Sequence, residues 1–398
     1  MNMKLITSAI TSAAGKVFKM KTSKKIAIGA AAAVAAAATG VAVAKTVQAR
    51  KQERSVRSLV IEDITRTLPV TVKREPTFEE SMEKSAQPFV LPQIVRNRVG
   101  LTELDEFTDT FVLEPKEKTS DMVIFYLHGT NYWFNPSRYH YAFIKRLANR
   151  LGTQLILPVY PKAPAHTAVD IQQMVLDRYL YLINEKKIPA EKIVFIGDAA
   201  GGGLALAMLQ KLRYLAYPMP GQAFLISPWL DVTNSDPAIK EIQPNDSILN
   251  AEKLTFKGEK YAGDLDPTHP MVSPIYGDLS GLCPITVFAG SREIFCADAQ
   301  KLCDIAEEKE LDIEVYIYKN QMHFFVGLPI PEGEEAIDII AMKLYGIDES
   351  DEIIEFEETD APELAEAVVC EDGEEADEEA TAEVTAETFE ELDPETEA

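Results

Sequence analysis

The stretch IGDAAGGGLALA, residues 196–207, carries four glycines where an apolar run, KIVFIGD (192–198), meets a segment with helical character, GGGLALAMLQKLRYL (201–215). A strand running through a glycine-rich turn into a helix is the setting in which a G-x-S-x-G motif works. The small residues permit a sharp turn, and the residue at its tip is held in a strained backbone above the sheet. In Gly197-Asp198-Ala199-Ala200-Gly201-Gly202 the spacing puts Ala199 at the tip. A methyl group has no lone pair with which to attack a carbonyl. Taken alone, the turn also admits a plainer reading, as a glycine bend that packs a helix close to a strand or cradles a phosphate.

Working outward, apolar runs alternate with amphipathic segments. DTFVLEP, DMVIFYLHG, TQLILPVYP, GQAFLISPW, PITVFAGS and IEVYIYKN read as strands. YHYAFIKRLANRL, AVDIQQMVLDRYLYLINEK and ADAQKLCDIAEEKEL read as helices. Several strands are apolar throughout, which predicts an α/β fold with a mainly parallel central sheet covered by helices on both faces. An insertion from about Leu230 to Leu282 is expected to supply helices or loops over the carboxyl edge of the sheet, where ligands of open α/β sheets bind. Residues 55–100, interrupted by Pro69, Pro76, Pro88 and Pro92, read as a helical lead-in or cap.

Three further segments stand in a telling order. YLHGTNYW (126–133) follows an apolar strand, where a loop can offer backbone N–H groups to an oxyanion. Glu293 in GSREIFCADAQKL and His323 in YKNQMHFF each come just after a strand. Turn, acid and histidine, in that order, is one of the chain orders in which a nucleophile, an orienting acid and a base are brought together after strands.

From about Asp121 to Leu344 the chain resembles the hormone-sensitive-lipase-like branch of the α/β hydrolases, which includes bacterial carboxylesterases and acetyl-ester hydrolases. The stretches that carry the resemblance are YLHG, GDAAGGGLAL, SPWLDVT, YAGDLDP, HPMVSPIYGDLSGL, EIFCADAQKL and the run from MHFF to PIPEGEEA. The resemblance implies a serine nucleophile at the position held by Ala199, the acid at Glu293 and the base at His323. It also implies oxyanion-loop positions at Gly129, Thr130 and Asn131, with Ala200 beyond the elbow, and elbow positions at Gly197, Asp198, Gly201 and Gly202. The chain departs from that pattern twice. Ala199 removes the nucleophile, and Thr130 and Asn131 stand where the family carries small residues that let backbone approach an oxyanion. A trapping substitution would alter the elbow alone, so damage in both places implies natural loss of the reaction. The expected protein is a pseudo-hydrolase that binds a small acyl or ester-like ligand or a protein. Two alternatives stand beside it: an active carboxylesterase with a non-standard mechanism, and a tethered interaction protein working through its tail. No cofactor and no metal is called for. Cys296, three residues past Glu293, fits no elbow.

The chain has 398 residues and a formal charge of -25, but the charge is unevenly spread. Of its 64 acidic residues 24 follow Lys343, where no Lys or Arg occurs, leaving 40 acidic against 39 basic residues in the body. No basic footprint for nucleic acid is present. Residues 347–398, rich in Glu, Ala and Thr, have the composition of a disordered acidic tail, a candidate surface for a protein partner. Residues 1–25 are basic. Residues 26–44, IAIGAAAAVAAAATGVAVA, are uncharged and long enough to span a bilayer, though eleven of them are alanine. They are expected to anchor the chain in a membrane by a single segment, or alternatively to act as a cleaved export signal. Residues 45–100 then form linker and cap helices, and 101–346 the hydrolase-like domain. The four cysteines lack metal spacing. His140, His166 and His269 are expected in surface or packing roles, and Tyr132 and Trp133 at the mouth of a pocket.

Overall fold

Eight strands hydrogen-bond into one sheet in the order β1-β2-β4-β3-β5-β6-β7-β8. They are β1 (Thr102–Leu104), β2 (Phe107–Leu113), β3 (Val123–Leu127), β4 (Gln154–Pro158), β5 (Ile193–Asp198), β6 (Gln222–Ile226), β7 (Ile285–Gly290) and β8 (Ile313–Tyr318). The computed structural model describes residues 43–67 and 76–347. The apolar run read as a membrane segment therefore lies outside the described residues except at positions 43 and 44, and the acidic tail lies outside them except at Ile347. Among the described residues no helix is long and apolar enough to cross a membrane.

The first two strands run antiparallel to their neighbours, and every pairing from β4 to β8 is parallel. Parallel strands need crossovers, and the helices supply them: α4 (Arg138–Arg150) between β3 and β4, α5 (Ala168–Asn184) between β4 and β5, α6 (Ala200–Tyr214) between β5 and β6, and α9 (Cys296–Glu308) between β7 and β8. Helices on both faces leave β3, β5 and β7 buried at every residue, which is why those runs carry no polar alternation. Two apolar clusters fill the two faces. One includes Phe125, Phe195, Leu204 and Trp229, and the other Ile124, Tyr126, Phe143 and Ile337. The final helix α10 (Pro331–Tyr345), which begins at a proline, packs in the second cluster. Neither β1 nor α10 stands out from periodicity.

Before the sheet come α1 (Val56–Thr67), α2 (Phe78–Ser85) and α3 (Gln93–Val99), and the insertion after β6 holds α7 (Ala238–Ile242) and α8 (Ala251–Ala262). Phe78 of α2 meets Phe256 of α8 edge-on at 6.4 Å. The first helix is bolted to the carboxyl edge of the sheet. Glu62, nearly inaccessible, accepts from Arg54, from Arg66 at 2.9 Å and from Arg292 at 2.8 Å. Arg54 also donates to the Asn320 carbonyl at 2.9 Å, and Ser58 Oγ to Gln321 at 2.6 Å. Arg292 and Gln321 adjoin the loops that carry Glu293 and His323, so residues from the lead-in hold both loops in place.

Candidate functional site

The elbow forms where β5 meets α6. Ala199 sits at φ 46°, ψ −116°, a backbone that L-residues adopt only when their surroundings impose it. The surroundings do impose it: Ala199 N–H donates to the Ile226 carbonyl at 2.9 Å, and its own carbonyl accepts from Trp229, Gly202 and Gly203 at 2.9 to 3.1 Å. Glycine is demanded at two positions beside it. A Cβ on Gly201 would lie 1.9 Å from the Leu127 carbonyl oxygen, and one on Gly197 would lie 2.3 Å from the Gly201 carbonyl oxygen. The glycines thus serve close approach of helix to strand, and Ala199 carries the strain.

Asp198 anchors the floor beneath the elbow. Its Oδ1 accepts from Tyr126 OH at 2.5 Å and from Gly129 N–H at 2.9 Å, and its Oδ2 lies 3.2 Å from His140 Nε2. Burial works against its ionisation, but His140 and the Tyr126 hydroxyl outweigh burial and hold the carboxyl below its usual range. His140, expected in an unspecific surface or packing role, is buried, is held at Nδ1 by Ser137 Oγ at 2.7 Å, and lines the cavity over Ala199. A histidine 58 positions from its aspartate leaves no local signal. Burial drives His128 down to about 3, with His140 adding to the effect, so that ring is neutral and stacks flat on Tyr160 at 4.2 Å.

The loop after β3 bears three successive residues with positive φ: Thr130 at 76°, Asn131 at 58° and Tyr132 at 64°. Gly129 N–H is committed to Asp198, while the backbone N–H groups of Thr130, Asn131 and Tyr132 have no acceptor among the described residues. The same holds for Ala200 at the first position of α6. The Thr130 hydroxyl turns to the Gly129 and Phe134 carbonyls. It braces the loop and is not presented as a replacement nucleophile. Tyr132 is not at a pocket mouth. It is fully buried, stacked on Tyr261 at 3.7 Å and on Trp229 at 5.8 Å, because its positive φ folds the loop inward. Trp133, also buried, tilts against Phe256 outside the cavity lining.

Opposite the elbow, Glu293 and His323 meet. His323 Nδ1 lies 2.5 Å from Glu293 Oε2, while Glu293 Oε1 accepts from Ser227 Oγ at 2.8 Å and from Gly290 N–H at 2.7 Å. Ser227 Oγ in turn accepts from Phe324 N–H at 3.1 Å, closing a ring of bonds around the pair. Burial disfavours a charged imidazole, yet the charge and hydrogen bond of Glu293, followed by Asp246 and Asp198, raise His323 above its ordinary value. Asp246, missed in the sequence, accepts from the N–H groups of Ile248, Leu249 and Ile294 at 2.8 Å each. Burial pushes its carboxyl up to about 6 despite those bonds. Cys296 is pushed up to about 12 by burial and by the Glu293 charge, which leaves it a thiol and a poor nucleophile.

The elbow, the loop and the acid–histidine pair converge on one cavity of about 40 Å³, lined by Thr130, Asn131, His140, Ala199, Leu249 and His323 among others. That volume holds a few water molecules.

A family model described as the alpha/beta hydrolase fold matches residues 124–327. An esterase of Acinetobacter venetianus is 30% identical over 228 residues, spanning 56% of this chain and 75% of the relative. An acetyl-hydrolase of Streptomyces hygroscopicus is 29% identical, spanning 54% of this chain and 73% of the relative. Among solved structures, an esterase from the bacterial hormone-sensitive lipase family superposes with a TM-score of 0.63 at 23% identity, covering 74% of this chain and 99% of that one, a likeness of fold. Sheet order, site geometry and relatives agree: the chain belongs to the α/β-hydrolase fold family, in its esterase branch.

Proposed function

We propose that this chain is a catalytically silent member of the esterase branch, a binding protein built on an ester-hydrolase site. One observation carries the reading. The side chain held at the strained tip of the elbow, facing the cavity that His323 also lines, is the methyl group of Ala199. Acyl transfer in a serine hydrolase begins with a hydroxyl at that tip giving its proton to the histidine, and a methyl group can neither give that proton nor form the bond. Nearby Thr130, Ser227 and Cys296 do not substitute, since Thr130 is bonded to carbonyls, Ser227 to Glu293, and Cys296 stays protonated. The altered loop adds to the loss, because Thr130 and Asn131 carry side chains where a bound oxyanion needs close backbone approach. The small cavity also argues against turnover of a bulky ester.

The test uses purified protein and short-chain p-nitrophenyl esters. The expected result is no release of p-nitrophenol above the buffer rate, with a fluorophosphonate probe labelling Ala199→Ser but not the native chain. Labelling of the native chain, or turnover that His323→Ala abolishes, overturns the proposal.

A further inference from the structure

The lead-in to the domain presents an outer face that the fold itself leaves uncovered. Residues 43–51 are helical and precede α1, and the chain turns back between them so that Lys45 pairs with Asp63. The two helices therefore lie side by side as an antiparallel hairpin. We infer that the outer face of this hairpin is a docking surface for an anionic lipid bilayer, which seats the carboxyl edge of the sheet beside the membrane. The contact is additional to the membrane segment expected at residues 26–44, and it holds whether or not the site turns over an ester.

Each helix of the hairpin carries two stripes. The inner one, with Ala49, Ser58, Leu59 and Glu62, is buried against the domain, where Glu62 meets Arg292 and Ser58 meets Gln321. The outer one is apolar as well. Val43 and Val47, one helical turn apart, are 58% and 48% exposed, and Val60 and Ile64 on α1, spaced the same way, are 37% and 38% exposed. The Lys45–Asp63 pair sets the register, so Val43 lies near the level of Ile64 and Val47 near that of Val60. A helix on a domain surface ordinarily turns polar residues to water, and here four branched apolar side chains take that place.

Charge and chain continuity together select lipid as the occupant. The three acidic residues of 43–67 are all consumed: Glu53 pairs with Lys319 at 2.8 Å, Glu62 with its three arginines, and Asp63 with Lys45. Arg50, Lys51 and Arg57 are exposed and have no carboxylate partner among the described residues. Arg50 and Lys51 continue the stripe of Val43 and Val47, and Arg57 stands one turn before Val60, so cations border the apolar patch. Apolar side chains bordered by Lys and Arg are what a helix lying at a bilayer interface presents, and each cation adds attraction to anionic headgroups. The uncharged run 26–44 is long enough to span a bilayer and ends inside this same helix, at Ala44. A face tethered in that way needs little affinity of its own, because the tether keeps its local concentration at the bilayer high. A second copy is a poorer occupant, since a two-fold contact through this face would set its unpaired cations against one another.

The experiment places the photo-crosslinking residue p-benzoylphenylalanine at Val47, Val60 or Tyr214 of the full-length protein, mixed with vesicles of phosphatidylcholine with or without phosphatidylglycerol. Tyr214 is the control. It is 86% exposed, but it ends α6, which starts at the elbow and runs to the opposite edge of the sheet. Irradiation is expected to attach phospholipid at positions 47 and 60 and not at 214, read as a mass increase on the corresponding peptides. All three sites are exposed, so the bulky residue leaves the fold intact, and 47 and 60 report independently from two helices. Lys51→Gln is expected to lower attachment at position 60 roughly fivefold, the effect of one cation at an anionic surface, and omission of phosphatidylglycerol is expected to lower it further. Attachment to a second chain, attachment to residues 26–42 of the same chain, equal attachment at 214, or no lipid attachment at 47 and 60 overturns the inference. An equal yield on phosphatidylcholine alone, or an unchanged yield in Lys51→Gln, overturns it too. Ester turnover is not read in this experiment, so its result is separate from that of the silent-enzyme test.

Discussion

The two walls of the cavity are built on different terms. On one wall Glu293 and His323 keep a fully bonded arrangement, with Ser227, Gly290 and Phe324 completing the ring. On the other wall Ala199 has no reactive group, and Thr130 and Asn131 thicken the loop that faces it. The difference teaches why an acid–histidine pair can persist for structural reasons of its own. Glu293 links β6, β7 and the histidine loop, and removing a buried carboxylate from such a network strands its donors, whereas a serine at a turn tip can become alanine with little structural cost. An intact acid–histidine pair is therefore weak evidence for catalysis, since folding alone gives it a reason to stay.

The largest test breaks the comparison at the tip. Ala199→Ser places a hydroxyl opposite His323 and is expected to raise hydrolysis of short p-nitrophenyl esters by several orders of magnitude, the full serine effect being on the order of 10⁶. Adding Thr130→Gly and Asn131→Gly should contribute about 10²-fold more if the loop side chains obstruct the oxyanion. Steady-state kinetics of the four combinations separates elbow from loop. A revertant with no turnover would place the decisive loss elsewhere on the second wall.

Next in size is the brace behind the acid wall. Glu62 serves Arg54, Arg66 and Arg292 from a nearly inaccessible position. Glu62→Ala leaves the equally buried Arg54 without its counter-charge and is expected to cost about 3–5 kcal/mol in urea unfolding. If the brace also sets the acid loop, the His323 ring resonance moves in the same variant.

The two walls also differ in how far they could be read from residues alone. The elbow was legible because strand, glycines and helix are contiguous, and β3, β5 and β7 because burial on both faces writes itself as unbroken apolar runs. Glu293 and His323 were legible through their order after strands and the resemblance that order supports. What escaped was long-range pairing. His140 is an ordinary helical residue until the fold brings it to Asp198, and Asp246 sits in an insertion with no periodicity. The sequence neighbourhood of Tyr132 points to a pocket mouth, but three successive positive φ angles turn it into the core, and backbone sign is not written in side-chain pattern. The Glu62 cluster joins residues up to 238 positions apart, beyond the reach of any local signal.

A smaller effect distinguishes the walls by pH. Asp246 has a folded-state value pushed up to about 6, above the roughly 3.9 of an unfolded aspartate, so the folded state binds the proton more tightly. Stability from this group is present below about pH 4 and declines as pH rises toward 6. His323, also raised, contributes stability that is complete below about pH 6.5 and is lost as pH rises through its folded value. Both slopes have the same sign and both belong to the acid wall. Asp246→Asn should remove about 1–2 kcal/mol of the decline between pH 4 and 6, measured as the difference between native and variant urea midpoints across pH. A variant whose pH profile parallels the native one would mean that Asp246 titrates as an ordinary exposed aspartate.

The smallest expected change is in the loop, and its smallness is informative. Thr130 holds φ at 76°, a conformation that costs a β-branched residue about 1–2 kcal/mol and costs glycine little. Against that gain, Thr130→Gly gives up the one hydroxyl donor that the Gly129 and Phe134 carbonyls share, worth about 1 kcal/mol. The terms oppose each other, and the greater backbone freedom of glycine in the unfolded chain tips the balance slightly down. Thr130→Gly should therefore lie within about 1 kcal/mol of native stability by urea unfolding. A loss above about 2 kcal/mol would show that the threonine is retained as a brace. A near-neutral result leaves its effect on the cavity as the property that sets Thr130 apart from glycine, and makes the loop, like the elbow, a change in what the site can hold.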